Sequence, residues 1–218
     1  MKTFKLSIGA NVHKELSWKI TSIPFWVDNN IFYNIENKVE LRNKFGFNHD
    51  DFIVGSFQRD TEGHDLKSPK LIKGPDIFFN IVLSMYKKNK NLKVLLSGKR
   101  RQFIIEKLNE SKIPFKYFEM VEIEEINELY NVLDLYLVTS RVEGGPQAIL
   151  EAAITKTPIL STDVGVASEI LHKNSICKED EFLDGKPEIL FAFENVQKFK
   201  IPHGMKAYRI MLRNIYEN

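Results

Sequence analysis

The strongest constraint on the fold is an alternation of short apolar runs with longer amphipathic ones. Residues 52–57 read Phe-Ile-Val-Gly-Ser-Phe, 92–98 read Leu-Lys-Val-Leu-Leu-Ser-Gly, and 133–138 read Leu-Asp-Leu-Tyr-Leu-Val. Shorter runs follow at 115–118 and 158–161. Between them, residues 75–88, 100–111, 123–131 and 146–155 read as helices. In the first of these Ile77, Phe78, Ile81, Val82 and Met85 share one side, and Pro75 stands in the first turn. A strand that is apolar at nearly every position is buried on both faces, and parallel strands joined through helices supply that burial. The sequence therefore predicts an α/β fold, a doubly wound parallel sheet of Rossmann-like type. Two more helices are expected at 187–199 and 203–217, while residues 60–72 read as a polar loop. With 218 residues, 43% of them hydrophobic and 28% charged, the chain can bury such a core.

Charge and motif content then narrow the function. Lys and Arg number 31 against 29 Asp and Glu, a net charge of +2, which is unlike a nucleic-acid binder. The single cysteine, Cys177, precludes an intrachain disulfide and fits a reducing compartment. No apolar run approaches the ~18 residues of a membrane span. Lys2, Lys5, Lys14, Glu15 and Lys19 interrupt any signal-peptide core, so the expected location is cytoplasmic. A Gly-x-Gly-x-x-Gly fingerprint is absent, and Arg100 stands where a P-loop beginning near Gly98-Lys99 needs Ser or Thr. The five histidines are scattered and show no zinc spacing around Cys177. Glu179-Asp180-Glu181 reads as a solvated turn, and no metal site is expected.

In doubly wound sheets, ligands bind at the carboxyl ends of the strands, where helices begin. Two turns there carry chemistry. The first is 140–152, Ser-Arg-Val-Glu-Gly-Gly-Pro-Gln-Ala-Ile-Leu-Glu-Ala. Gly144 and Gly145 admit a ligand close to the backbone, and Pro146 suits the first helical position. The amides of Gln147 and Ala148 are then free at a helix N-terminus, a ready anion site. Glu143 precedes the helix, and Glu151 lies within it, seven residues intervening. Apolar neighbours surround Glu151, so its carboxylate needs a partner: a ribose diol, or a lysine or arginine elsewhere in the protein. The second turn carries Arg59, Lys67, Lys70 and Lys73-Gly74-Pro75. A lysine at a helix start is disfavoured by the macrodipole unless an anion sits between them; the alternative reading is a solvated basic loop.

The order strand, Lys-Gly, strand, strand, Glu-Gly-Gly-Pro…Glu, then Thr162-Asp163-Val164-Gly165 and Glu169, resembles the carboxy-terminal domain of family 4 glycosyltransferases (glycosyl transferases group 1), over roughly residues 20–175. Ile23-Pro24 with Val27-Asp28 and Phe32 is similar to that family's interdomain entry. The resemblance implies the carboxy-terminal half of a GT-B fold. It further implies a retaining, metal-independent hexosyltransferase with a nucleotide diphosphate sugar as donor and a polysaccharide or glycolipid as acceptor. No cofactor beyond that donor is implied. By the resemblance, Lys73 and Arg59 hold the diphosphate. Arg59 stands three residues beyond the place the family's arginine takes, which Ser56 occupies. Glu143 meets the transferred sugar, Gly144, Gly145, Pro146 and Gln147 form the turn whose amides bind sugar and phosphate, Glu151 binds the ribose, and Val121 lies where the backbone meets the nucleobase. Residues 1–22 are expected to be a remnant of an amino-terminal domain, 23–200 the nucleotide-sugar-binding domain, and 201–218 a terminal helix. That helix is expected to pack against the fold, a membrane surface being the other reading. The acceptor site would belong to a missing or separate amino-terminal domain. A module that binds the donor without transferring it and an interaction domain with a vestigial cleft are the competing readings.

Overall fold

The computed structural model describes residues 25–216, so residues 1–22 and the Ile23-Pro24 half of the entry motif lie outside it. Its elements run α1 (Lys38–Lys44), β1 (Phe52–Ser56), β2 (Thr61–Glu62), β3 (Ser68–Pro69), α2 (Pro75–Lys88), β4 (Leu92–Ser97) and α3 (Gln102–Glu110). They continue with β5 (Phe115–Phe118), α4 (Ile123–Val132), β6 (Leu135–Val138), α5 (Gln147–Ile154), β7 (Ile159–Ser161), α6 (Ala167–Ile170), α7 (Ile189–Val196) and α8 (Lys206–Tyr216). Short 3-10 turns at Leu71–Lys73, Lys173–Ser175, Gln197–Phe199 and His203–Met205 complete the chain.

The five long strands form one parallel sheet in the order β5-β4-β1-β6-β7. Alternation along each strand sends side chains to opposite faces. Ile53, Leu95 and Tyr136 join one core with Leu129, Ile149, Leu150 and Val196. Val54, Val94, Leu96 and Leu137 join the other with Ile77, Phe78, Ile104 and Leu108. Both faces are thus covered, which is why β1, β4 and β6 read as continuous apolar runs. Each such fully buried side chain contributes roughly 1.5–3 kcal/mol. No described helix is long and apolar enough to cross a membrane.

Three expectations need correction. Residues 60–72, expected as loop, contain the antiparallel hairpin β2–β3; strands of two residues are too short to show a period. Helices α1 and α6 were not legible, and α1 buries a single residue, Leu41, so no 3.6-residue stripe exists to be read. The terminal helix, expected to pack against the fold, is mostly exposed over its described side chains. Between Lys206 and Asn214 only Met211 is partly buried, while Ile210 and Leu212 are about half exposed, at 51% and 48%. Along it the Tyr208 ring lies 6.0 Å from that of Trp26.

Parallel direction places the carboxyl ends of all five strands on one edge. Helices α2 and α5 begin there, after β1 and β6, which are neighbours in the sheet.

Candidate functional site

The turns following β1 and β6 are locked together through backbone. Gly74 has φ +61°, and a Cβ there would sit 1.8 Å from the Thr139 carbonyl oxygen. Only glycine lets α2 begin this close to the end of β6. The Thr139 hydroxyl donates to the Gly74 carbonyl at 2.9 Å, and Gln58 Nε2 donates to the Lys73 carbonyl at 2.7 Å. Ser140 Oγ lies 3.0 Å from both Gln58 Oε1 and Glu143 Oε1. Lys73 Nζ forms an ion pair with Glu143 Oε1, the two side chains being 23% and 15% exposed. The basic and the acidic segments singled out in the sequence therefore meet side by side at the carboxyl edge of the sheet. The anion that offsets the unfavourable position of Lys73 at the start of α2 is here Glu143 itself.

The next turn supports this contact. Pro146, expected as the first helical residue, caps α5 instead (φ −65°, ψ 114°), and the helix starts at Gln147. The amides of Gln147 and Ala148 have no partner within the helix. Gly165, at φ +54°, lies so near that a Cβ would come within 2.7 Å of Gly145 Cα and Pro146 Cδ. Thr162 Oγ1 donates to the Ser140 carbonyl at 2.5 Å. The Thr162-Asp163-Val164-Gly165 segment thus braces the Gly145-Pro146 turn from behind. Gly144 and Gln147 are exposed.

Glu151 sits one turn further along α5. Its carboxylate accepts from the Tyr130 hydroxyl at 2.9 Å. Tyr130 and Tyr136 are buried and pack with Phe57, ring centroids 4.8–5.2 Å apart. Burial in this aromatic setting lifts the Glu151 carboxyl to about 7, against a smaller lowering by the Tyr130 hydrogen bond. No cation among the described residues offsets it. Of the two partners the sequence left open, the lysine or arginine is not found among the described residues, and a tyrosine hydroxyl meets the carboxylate instead. The Tyr130 hydroxyl itself is pushed well up, chiefly by burial and then by the Glu151 charge, so it remains a donor.

Other expected site residues lie apart from the ion pair. Arg59 is exposed, and its Nε donates to the Thr61 carbonyl at 3.1 Å within its own loop. The guanidinium beside Ser56 comes instead from Arg101, which is fully buried. It pairs with Asp60 and donates to the Ser56 and Ser97 carbonyls, so its donors are consumed within the protein. Val121 packs against the core cluster that holds Tyr130. Among the described residues no group of His, Cys, Asp and Glu is arranged to hold a metal ion. A cavity of about 500 Å³ lies at the opposite edge, lined by Phe52, Leu92 and Leu135, the first residues of their strands, and is remote from this chemistry. Gln58, Ser140 and Tyr130 were missed from sequence. Each is an ordinary polar residue whose role depends on a partner 15 or more positions away.

A family profile described as "Glycosyl transferases group 1" matches residues 67–199, more than half of the chain. No curated protein sequence matches it. Several solved structures share the fold. A glycosyltransferase from Rickettsia africae superposes with a TM-score of 0.71 at 18% identity, covering 93% of this chain and 59% of its own. Sucrose-phosphate synthase from Thermosynechococcus elongatus gives 0.66 at 16%, covering 89% and 51%. Anabaena HepE, in complex with UDP and glucose, gives 0.65 at 15%, covering 88% and 56%. The chain thus spans about half the length of these relatives.

Proposed function

Since the chain belongs to the glycosyl transferases of group 1 and has the architecture of the carboxy-terminal half of a GT-B fold, we propose that it is the donor-binding half of a retaining, metal-independent hexosyltransferase of family 4. The reading is carried by one observation: Lys73 and Glu143, 70 positions apart, are in direct contact just ahead of the N-terminus of α5. A nucleotide diphosphate sugar placed there would draw Lys73 onto its phosphates and release Glu143 to accept hydrogen bonds from the sugar hydroxyls. As the glycosidic bond lengthens, negative charge grows on the departing diphosphate. Lys73 and the Gln147 and Ala148 amides oppose that charge in place, in the manner of an oxyanion hole. Arg59, on its exposed loop, swings toward the same phosphates. The sugar left behind is oxocarbenium-like, and Glu143 and the turn at Gly144, Gly145 and Pro146 hold its hydroxyls. Glu151 takes the ribose diol, and the backbone at Val121 takes the base. The acceptor, a polysaccharide or glycolipid, is met by an amino-terminal domain, and the reaction runs in the cytoplasm.

Calorimetry with a panel of UDP-, GDP- and ADP-sugars tests the reading. Binding of one of them is expected, weakened by roughly 1–3 kcal/mol in Glu151→Ala, the scale of one charge-assisted hydrogen-bond set. No heat and no thermal shift with any member of the panel would refute it.

A further inference from the structure

The guanidinium of Arg141 uses all five of its donors. Nη1 donates to the Leu71 carbonyl at 2.9 Å and to Asp76 Oδ1 at 2.8 Å. Nη2 donates to Asp76 Oδ2 at 2.7 Å and to Glu179 Oε2 at 3.4 Å, and Nε to Glu179 Oε1 at 3.1 Å. A planar fork with five N–H groups can do this, whereas a lysine, with three donors on a point charge, cannot. The backbone repeats the link. The amides of Arg141 and Val142 both donate to the Ile72 carbonyl, at 2.9 and 3.3 Å. Leu71, Ile72 and Asp76 flank Lys73, and Glu143 lies two residues beyond Arg141. The side chain is one third exposed, so so many bonds at a single surface arginine define a fixed geometry rather than a loose ion pair. Asp76 answers it: the Arg141 hydrogen bonds hold its carboxyl below the usual range.

We infer that Arg141 is a positioning residue that sets Lys73 opposite Glu143, and so sets where a diphosphate and its sugar can be gripped together. It acts through the two turns and does not itself touch the donor. The inference rests on the proposed donor site for its functional meaning, but the juxtaposition it explains exists without any ligand.

The test has a ligand-free arm and a binding arm, run on Arg141→Lys, Arg141→Ala and Asp76→Asn. The last turns one of the two Asp76 acceptors into an amide donor and removes the charge, and covers the case in which Arg141→Ala does not fold. In the first arm, lysine amines are acetylated under limiting reagent and read by peptide mass spectrometry. The Lys73 amine, engaged by Glu143 in the parent protein, is expected to react several-fold faster in the variants, while Lys44, paired with Glu128 elsewhere, is unchanged. In the second arm, binding of UDP, GDP and ADP is measured for Arg141→Ala, Lys73→Ala and the double variant. Arg141→Ala should weaken diphosphate binding about ten-fold, the loss of one charge-assisted contact, and cost nothing further once Lys73 is gone. Unchanged Lys73 labelling in folded variants, or fully additive losses, would overturn the inference. Should the parent protein bind no nucleotide, the donor-site reading falls, and the labelling arm alone still decides whether Arg141 places Lys73.

Discussion

Replacing Glu151 by glutamine isolates the energetic cost of a charge held in the aromatic pocket of Tyr130 and Tyr136. A glutamate ordinarily titrates at 4.5, whereas burial raises this one to about 7. At roughly 1.4 kcal/mol per tenfold change in the protonation equilibrium, keeping the charged form in the folded protein costs about 3 kcal/mol. The sign follows from linkage. Between pH 4.5 and 7 the folded chain keeps a proton that the unfolded chain has lost, so stability falls as pH rises through that window and levels off above it. Glutamine has no proton to lose. The difference in unfolding free energy between Glu151→Gln and the parent should therefore grow from near zero at pH 4.5 to about 3 kcal/mol in favour of the variant at pH 8. Urea unfolding followed by circular dichroism across that range measures it, and subtracting the two profiles cancels every other titrating group. A difference that stays constant with pH would refute the reasoning. On the proposed donor-site reading, the same charge serves the nucleotide. A ribose diol donates two hydroxyls to a carboxylate, so nucleotide affinity should climb between pH 5 and 7 in the parent and stay flat in the variant.

Other consequences are measurable by the same means. Tyr130→Phe removes the hydrogen bond that holds the Glu151 carboxyl down, so the midpoint of its pH-dependent step should move upward; an unmoved midpoint would show that the hydroxyl does not govern it. Gly74→Ala forces a Cβ to 1.8 Å from the Thr139 carbonyl at a left-handed φ, and the backbone strain alone is about 1–2 kcal/mol. A loss above about 3 kcal/mol is expected once the turns separate, together with loss of nucleotide binding, and a loss below about 1 kcal/mol would contradict the described contact. Asp60→Asn leaves the buried Arg101 charge without its counter-ion, and breaking such a pair costs roughly 3–5 kcal/mol. A neutral effect on the urea midpoint would mean that the pair is not buried as described.

Much of this protein was legible from local pattern. Apolar runs at 52–57, 92–98 and 133–138 required burial on both faces, and with helical spacing between them that requirement leads to a parallel sheet. Gly-Gly-Pro after a strand announced a helix N-terminus, and the sequence also supplied both members of the Lys73–Glu143 pair as separate candidates. What it left open was whether they meet. Strand order in the sheet decides that, because it makes β1 and β6 neighbours although β4 and β5 lie between them in the chain. No periodicity carries strand order.

Arginine shows the same division. Arg59, Arg101 and Arg141 are three similar letters in polar stretches. One is exposed beside its own loop, one disappears into the core with Asp60, and one spends five donors tying two turns together. Composition and spacing fix where strands and helices can form, because those preferences are summed over adjacent residues. The fate of a charge depends on groups brought near it from elsewhere in the chain, so the partners of Lys73, Arg101, Arg141 and Glu151 were settled only when the strands took their places.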